Sequence, residues 1–387
     1  MKILIDSSIV SKGGGVQVAL SIIENIANDK DFEVICVVNS EIDKQLSLNA
    51  KNNIKHYYVE NIEPIYKKFI QGKRISLIEQ KHKPDFVFVV FGPAYWKPKA
   101  KTVQGFALGK MLYEKELGVD FKEKILNLIK KKIFQWSQSY LLVETELVKA
   151  KLANYLGYSK EKIFVIGNSY SPNFKKNVLA NEDRINKQKD IFQILVPGSY
   201  YPHKNLERII LSLIELRSSS HLKSKIKVLF TIPEKSSDWS NLLALAKKHN
   251  VDDLITTVGF VQNSQFAELY LQSNAIICAS LVESSTAVFP EAFLANRPLL
   301  VSERPFAKEL CEDAAIYFEP LDEKSIANAI LELVNNEELQ HLLVENGKKV
   351  LLKNYPSADQ KWNLQKNLIT HLYSKSLYTI KIDNSLK

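Results

Sequence analysis

ASLVESSTAVFPEAFLANRPLLVS (residues 279–302) decides how the second half of this chain folds. The apolar run just before it, 275–278, reads as a buried strand, and PLLVS at its end reads as another. Between them lie Glu283, three small hydroxyl residues (Ser284, Ser285 and Thr286) and an apolar segment carrying Glu291. Pro290 is tolerated in a helix only in the first turn, so this helix has to begin near 286–288. Asn296 closes it, at a position that favours a left-handed residue. The succession of strand, hydroxyl-rich turn, short helix and strand is one step of a parallel α/β sheet. Hydroxyls at the helix start cap some backbone N–H groups and leave others pointing outward, which attracts phosphate. Glu291, about a turn further on, can accept two hydrogen bonds from a ribose diol. As spacing alone, two glutamates eight apart read first as solvated helix charges.

The same alternation runs outward in both directions. Apolar runs at 191–196, 227–232, 254–258, 299–301 and 316–318 fit strands, with helical patterns at 206–217, 239–248, 264–272, 290–294 and 325–334. In the first half, runs at 2–5, 33–38, 54–59, 85–91, 140–143 and 163–166 fit strands, with helices such as 16–27 and 144–156 between them. The most apolar runs lack polar alternation, as strands buried on both faces of a parallel sheet do. The polar stretch 173–189 has no apolar period and reads as a linker. A chain of 387 residues exceeds one ordinary core, so two domains are expected, at 1–180 and 190–355. The fold class is α/β, with two Rossmann-like doubly wound domains facing across a cleft. Ligands of such sheets bind outside the carboxyl ends of the strands.

The opening MKILIDSSIV is interrupted by Asp6 and reads as a first strand rather than a leader. No run approaches the ~20 apolar residues of a membrane-spanning helix, so a cytoplasmic location is expected. Cys36, Cys278 and Cys311 stand far apart without metal-ligand or redox spacing. The net charge of +9 is uneven. Residues 1–190 hold 31 Lys and Arg against 21 Asp and Glu, whereas the remainder is nearly balanced at 21 against 22. The first half is therefore expected to meet a polyanionic partner or an anionic membrane surface.

The Glu283-x7-Glu291 spacing, with its flanking strands, resembles the signature of the retaining family-4 glycosyltransferases of the GT-B fold. The likeness covers nearly the whole chain: VETELVKAKLANYLGYSKEKIFVIGN (143–168), VPGSYYPHKNLERIILSLIEL (196–216) and ELCEDAAIYFEPLDEKSIANAI (309–330) resemble successive parts of that family. The resemblance implies that Glu283 contacts the transferred sugar and Glu291 the ribose. Ser284, Ser285, Thr286 and Ala287 would present backbone N–H groups to the diphosphate. Lys204 would face the leaving phosphate, with Ser199 and His203 beside it, and the stretch 356–387 would pack back on the first domain. Where the family commonly has an arginine after Gly198, this chain has Ser199, Tyr200 and Tyr201.

Gly13, Gly14 and Gly15 follow the first strand and enter a helix; the matching family loop faces the donor's phosphate and sugar. In FGPAYWKPKAKTVQGFALGKMLYEKE (91–116), Tyr95 and Trp96 are expected to stack on an acceptor sugar, with Gln104 beside them. Asp29-Lys30-Asp31 precedes a strand and reads as a surface turn, so no metal is expected, and no cofactor. FKEKILNLIKKKIFQW (121–136) and PIYKKFIQGKRISLI (64–78) are basic and amphipathic; each either packs its apolar stripe on the sheet or lies on an anionic leaflet.

The function implied is transfer of a sugar from a nucleotide sugar to an acceptor hydroxyl with retention, in bacterial surface-polysaccharide or lipid-linked glycan assembly. Rival readings are a sugar-nucleotide epimerase of the same architecture and a catalytically silent partner of another transferase. Nucleic acid is not expected as a partner, because the basic residues form no recognisable binding module.

Overall fold

The computed structural model describes residues 1–11, 13–61, 63–181, 191–220 and 222–377. They form two compact units, one of Met1–Glu114, Val119–Gly167 and the chain from Ala358, the other of Lys115–Gly118 and Asn168–Ser357.

In the first unit the strands are β1 (Lys2–Asp6), β2 (Glu33–Asn39), β3 (His56–Glu60), β4 (Phe86–Val89), β5 (Lys101–Gly105), β6 (Tyr140–Val143) and β7 (Ile163–Val165). They pair in the order β3-β2-β1-β4-β5-β6-β7, all parallel. In the second unit β8 (Ile191–Val196), β9 (Lys225–Phe230), β10 (Ile255–Thr257), β11 (Ala275–Cys278), β12 (Leu299–Ser302) and β13 (Ala315–Phe318) pair as β10-β9-β8-β11-β12-β13, again all parallel. Both are doubly wound. Strand order reverses between β1 and β4 and between β8 and β11, and a crevice opens at such a switch point beyond the carboxyl ends.

Each sheet is apolar because helices cover both its faces. The helix Gly14–Ala27 turns Val16, Ala19, Ile22, Ile23 and Ile26 inward at helical spacing. Its loop needs glycine at two points. Gly13 sits at φ +63, and a Cβ on Gly15 would meet Val10 at 3.0 Å.

The last helix, Ala358–Leu377, belongs to the first unit, where Trp362, Ile369 and Leu372 share a core with Ile3, Ile5 and Phe86. Asp29-Lys30-Asp31 clamps it. The Asp29 carboxylate accepts from Trp362 Nε1 at 3.2 Å and from Lys366 Nζ at 2.9 Å, and Asp31 meets the same ammonium at 2.6 Å. Burial would raise the Asp29 pKa, but the bonds from Lys366 and Trp362 outweigh it and hold the group below its usual value. Trp362→Ala is expected to destabilise the first unit by about 3–5 kcal/mol through the lost ring and the cavity left behind. Chemical denaturation followed by circular dichroism measures this, and a loss below about 1 kcal/mol would contradict the account.

Three expectations need correction. The stretch 173–189 is no linker up to Asn181: Pro172–Asn181 is a helix of the second unit, with Phe174 and Val178 buried, and 182–190 lie outside the described residues. β5 is missing from the expected runs because Lys101, Thr102 and Gln104 hide its strand character. The region 54–59 forms its strand two residues later, at β3.

Candidate functional site

Two loops meet at the switch point of the second sheet. β8 ends at Val196, and Gly198, at φ +109, turns the chain; its N–H donates to Thr231 Oγ1 at 2.8 Å. A single helical turn, Pro202–Lys204, follows and stops at Asn205, a left-handed residue whose side-chain amide donates to Pro320 O at 2.7 Å. The second loop leaves β11 at Cys278. Leu281 N donates to His203 O at 2.8 Å and ties the two loops together.

That bond sets Lys204 opposite Glu283. The ammonium lies 2.5 Å from Glu283 Oε1, and the same oxygen accepts from Ser280 Oγ at 2.9 Å. The side chains are only 19% and 11% exposed. Burial would lower the Lys204 pKa, yet the negative charge of Glu283 reverses the shift, so the lysine stays cationic. A charge pair so poorly hydrated is held where the second sheet opens its crevice.

The helix Val288–Leu294 follows directly, with Pro290 in its first turn. Thr286 Oγ1 accepts from Val288 N at 3.3 Å. The Ser284 and Ser285 hydroxyls are buried and have no hydrogen-bond partner. Buried hydroxyls without partners are costly, and the oxygens of a bound anion would satisfy them. Glu291 retains some surface exposure, but protein surrounds its carboxyl, and the lost hydration pushes it up to about 7. The fully buried Tyr270 faces it and offsets part of the rise, without reaching full hydrogen-bond geometry. Behind them, Arg297 donates to Tyr270 O at 3.1 Å and Leu271 O at 2.7 Å, and Phe174 packs edge-on against Tyr270 at 5.2 Å. Asn296 is left-handed at φ +53, as its place after the helix predicts.

Lys204, His203, Glu283 and the 284–287 turn thus belong to one pair of adjoining loops, and Glu291 to the short helix that follows the second. Ser199 is exposed in the turn after β8, and Tyr201 stacks on the His203 ring at 5.6 Å. Gly13 ends the loop beyond β1 in the first unit, and Gly14 and Gly15 open the helix that follows; the Asn39 amide fixes that loop by donating to Ser8 O and Val10 O. Tyr270 and Ser280 escaped sequence reading. Tyr270 lies in an ordinary amphipathic helix, and Ser280 is one small residue among several.

The acceptor contacts need correction. Trp96 is 4% exposed and donates its indole N–H to Glu79 at 3.1 Å, while Glu79 also accepts from Lys99 N and Ala100 N. Gln104 is fully buried on β5: it accepts from Ala94 N and donates to Ser137 Oγ and Ser139 Oγ. Tyr95 is 6% exposed, lies edge-on to Phe69 and has its phenol pushed up to about 12 by burial. All three build the loop's scaffold and present no stacking face.

Two doubly wound parallel units, the second with its charged pair at the switch point, define a protein of the GT-B class. Residues 179–350 match the family described as glycosyl transferases group 1. Among curated proteins it is similar to the O-antigen chain mannosyltransferase RfbU of Salmonella typhimurium, 26% identical over 191 residues, which are 49% of this chain and 50% of that protein. The match thus spans about half the length of that relative. Solved structures share the fold over 96% of this chain. Anabaena Alr3699/HepE, in complex with UDP and glucose, has a TM-score of 0.73 at 13% identity and is covered completely. WaaG, a glycosyltransferase involved in lipopolysaccharide biosynthesis, is also covered completely, at 0.70 and 13%. A glycosyltransferase from Rickettsia africae gives 0.71 at 15%, with 98% of that chain covered.

Proposed function

We propose that this protein transfers a sugar from a nucleotide-activated donor to an acceptor hydroxyl, with retention, in bacterial surface-polysaccharide or lipid-linked glycan assembly. The Lys204–Glu283 pair at the β8/β11 switch point carries the reading. Lys204 supplies the cation for the leaving diphosphate, and the backbone N–H groups and unpartnered hydroxyls of 284–287 supply donors for its oxygens. Glu283 binds hydroxyls of the sugar, and Glu291 binds the ribose. In front-face transfer the bond from sugar C1 to phosphate oxygen breaks as the acceptor oxygen attacks C1 from the same side. The departing phosphate oxygen takes the acceptor proton, so no protein nucleophile is required. Charge is neutralised by Lys204 and the loop, and no metal takes part. The first unit, with its excess of basic residues, holds a saccharide or lipid-linked acceptor at the inner face of the membrane.

The names of the relatives guide the donor panel: nucleotide-activated mannose first, after RfbU, and UDP-glucose, after the HepE complex. Release of nucleoside diphosphate that needs an acceptor and persists in EDTA is the expected result. Conversion of one sugar nucleotide into another without an acceptor would replace transfer by epimerisation, and no turnover with any donor would favour a silent partner.

A further inference from the structure

Arg297 ties together the two short helices that carry Tyr270 and Glu291. Its backbone N–H donates to Ala292 O at 2.9 Å, on the helix of Glu291. Its guanidinium closes the end of the helix Phe266–Gln272 by donating to Tyr270 O at 3.1 Å and Leu271 O at 2.7 Å. From a third helix, Pro172–Asn181, Phe174 stands edge-on against the Tyr270 ring at 5.2 Å. The backbone and ring of Tyr270 are thus braced from two sides, and the residue is fully buried.

So braced, the phenol points its polar end at Glu291. The hydroxyl is sealed from water and completes no hydrogen bond of full geometry. A ring that only filled space would serve better as phenylalanine, because a buried hydroxyl without a bond is costly. The last torsion of a glutamate is soft, so turning the Glu291 carboxyl completes the bond. Tyr270 is the group that bears on this carboxyl, and Cys278 also bears on the phenol. The helix Glu337–Asn354 packs on the far part of Glu291's helix through Gly347, against Phe293. Among the described residues, no charged group of that helix or of Pro172–Asn181 acts on Glu291.

We infer that Tyr270 is a positioning residue for ribose recognition, its hydroxyl donating to the Glu291 carboxylate and holding it for the ribose diol. A carboxylate has about four acceptor sites on its two oxygens, so one serves the phenol and the others remain for the diol. The inference rests on the reading of Glu291 as the ribose ligand and adds a residue that touches no substrate.

Tyr270→Phe removes the hydroxyl and keeps the ring that Phe174 supports. The test is calorimetric titration with UDP and 2′-deoxy-UDP, or with the guanine pair if the wild type binds it more tightly, from pH 6 to pH 8.5. The ratio of the two affinities cancels the titration of the terminal phosphate. In the wild type the preference for the ribonucleotide should climb towards about tenfold, with its midpoint near 7. Without the bond that favours the ionised carboxyl, Tyr270→Phe should move the midpoint up by about one pH unit. The preference then falls about threefold at pH 7 and largely returns at pH 8.5. Merely structural damage would weaken both nucleotides together and leave the ratio alone. Phe174→Leu, which only loosens the ring, should move the midpoint the same way by less, and it carries the test if Tyr270→Phe fails to fold. A Tyr270→Phe ratio that tracks the wild type at every pH, while Glu291→Gln is flat, would overturn the inference and leave the donor reading standing. A ratio that Glu291→Gln does not change would remove Glu291 from the ribose and take both readings with it.

Discussion

Lys204→Ala is expected to lower kcat about 10²–10³-fold while changing the donor KM far less. In the proposed reaction the ammonium faces the point where negative charge grows as the sugar–phosphate bond breaks, and removing one fixed stabiliser of such charge costs on that order. Ground-state phosphate charge is spread over more oxygens and more donors, so binding suffers less than turnover. The departure at 199–201 sharpens the expectation. With Ser199, Tyr200 and Tyr201 where an arginine is common in the family, Lys204 has less help in this loop. Lys204→Arg keeps the charge but not the compact shape that shares Glu283 Oε1 with Ser280, so it should recover only part of the rate. Steady-state rates at saturating donor decide the matter. A kcat within threefold of wild type for Lys204→Ala would remove the lysine from the mechanism.

Affinity for a sugar nucleotide should rise between pH 6 and pH 8, with a midpoint near 7, and Glu291→Gln should flatten the rise. Burial is the main cause of the high pKa, with Tyr270 working against it. A protonated Glu291 has one acceptor fewer for a ribose diol, so the ionised form binds better. The diphosphate of a sugar nucleotide has no group titrating in that window, and loss of the rise in Glu291→Gln separates the carboxyl from the other groups of the site. Glu291→Ala should weaken binding about a hundredfold at pH 8, the order expected for two hydrogen bonds to a charged group. For folding the sign is opposite. The folded carboxyl keeps its proton up to about 7 while the unfolded one releases it near 4.5, so this group contributes stability at low pH that is lost as pH rises through that window. Calorimetric titration across pH checks the binding claim, and a flat wild-type profile would overturn it.

The second half of the fold was legible because β11, β12 and β13 are almost wholly apolar and its turns carry glycine or asparagine at left-handed positions. Gly198 and Asn296 show this directly. The first half was harder. β5 carries Lys101, Thr102 and Gln104, and only the structure shows Gln104 spending all its polar groups inside the protein. The same blindness misassigned Tyr95 and Trp96, since an aromatic on a loop looks alike in sequence whether its ring covers the core or a ligand. The site acids could be found because they lie in one contiguous stretch. Tyr270 could not, because its meeting with Glu291 depends on how two short helices pack. Nor could the sequence decide between the two faces of the helix Phe121–Ser137, since either would have satisfied its spacing.

The clamp on the last helix also bears on the order in which the chain becomes a protein. The second unit is nearly continuous, but the first is split, and Lys101 Nζ donates to Leu372 O across 271 positions of sequence. On a ribosome the first sheet emerges early and then waits for Trp362, Ile369 and Leu372 to seal it. At about 5–20 residues per second, the intervening unit imposes a delay of some tens of seconds. Throughout that time the groove between the helix Gly14–Ala27 and β5 stands open, its apolar floor in water. A helix translated after the second unit therefore closes the unit translated before it, and nascent chains halted before Ala358 are those a chaperone would hold longest.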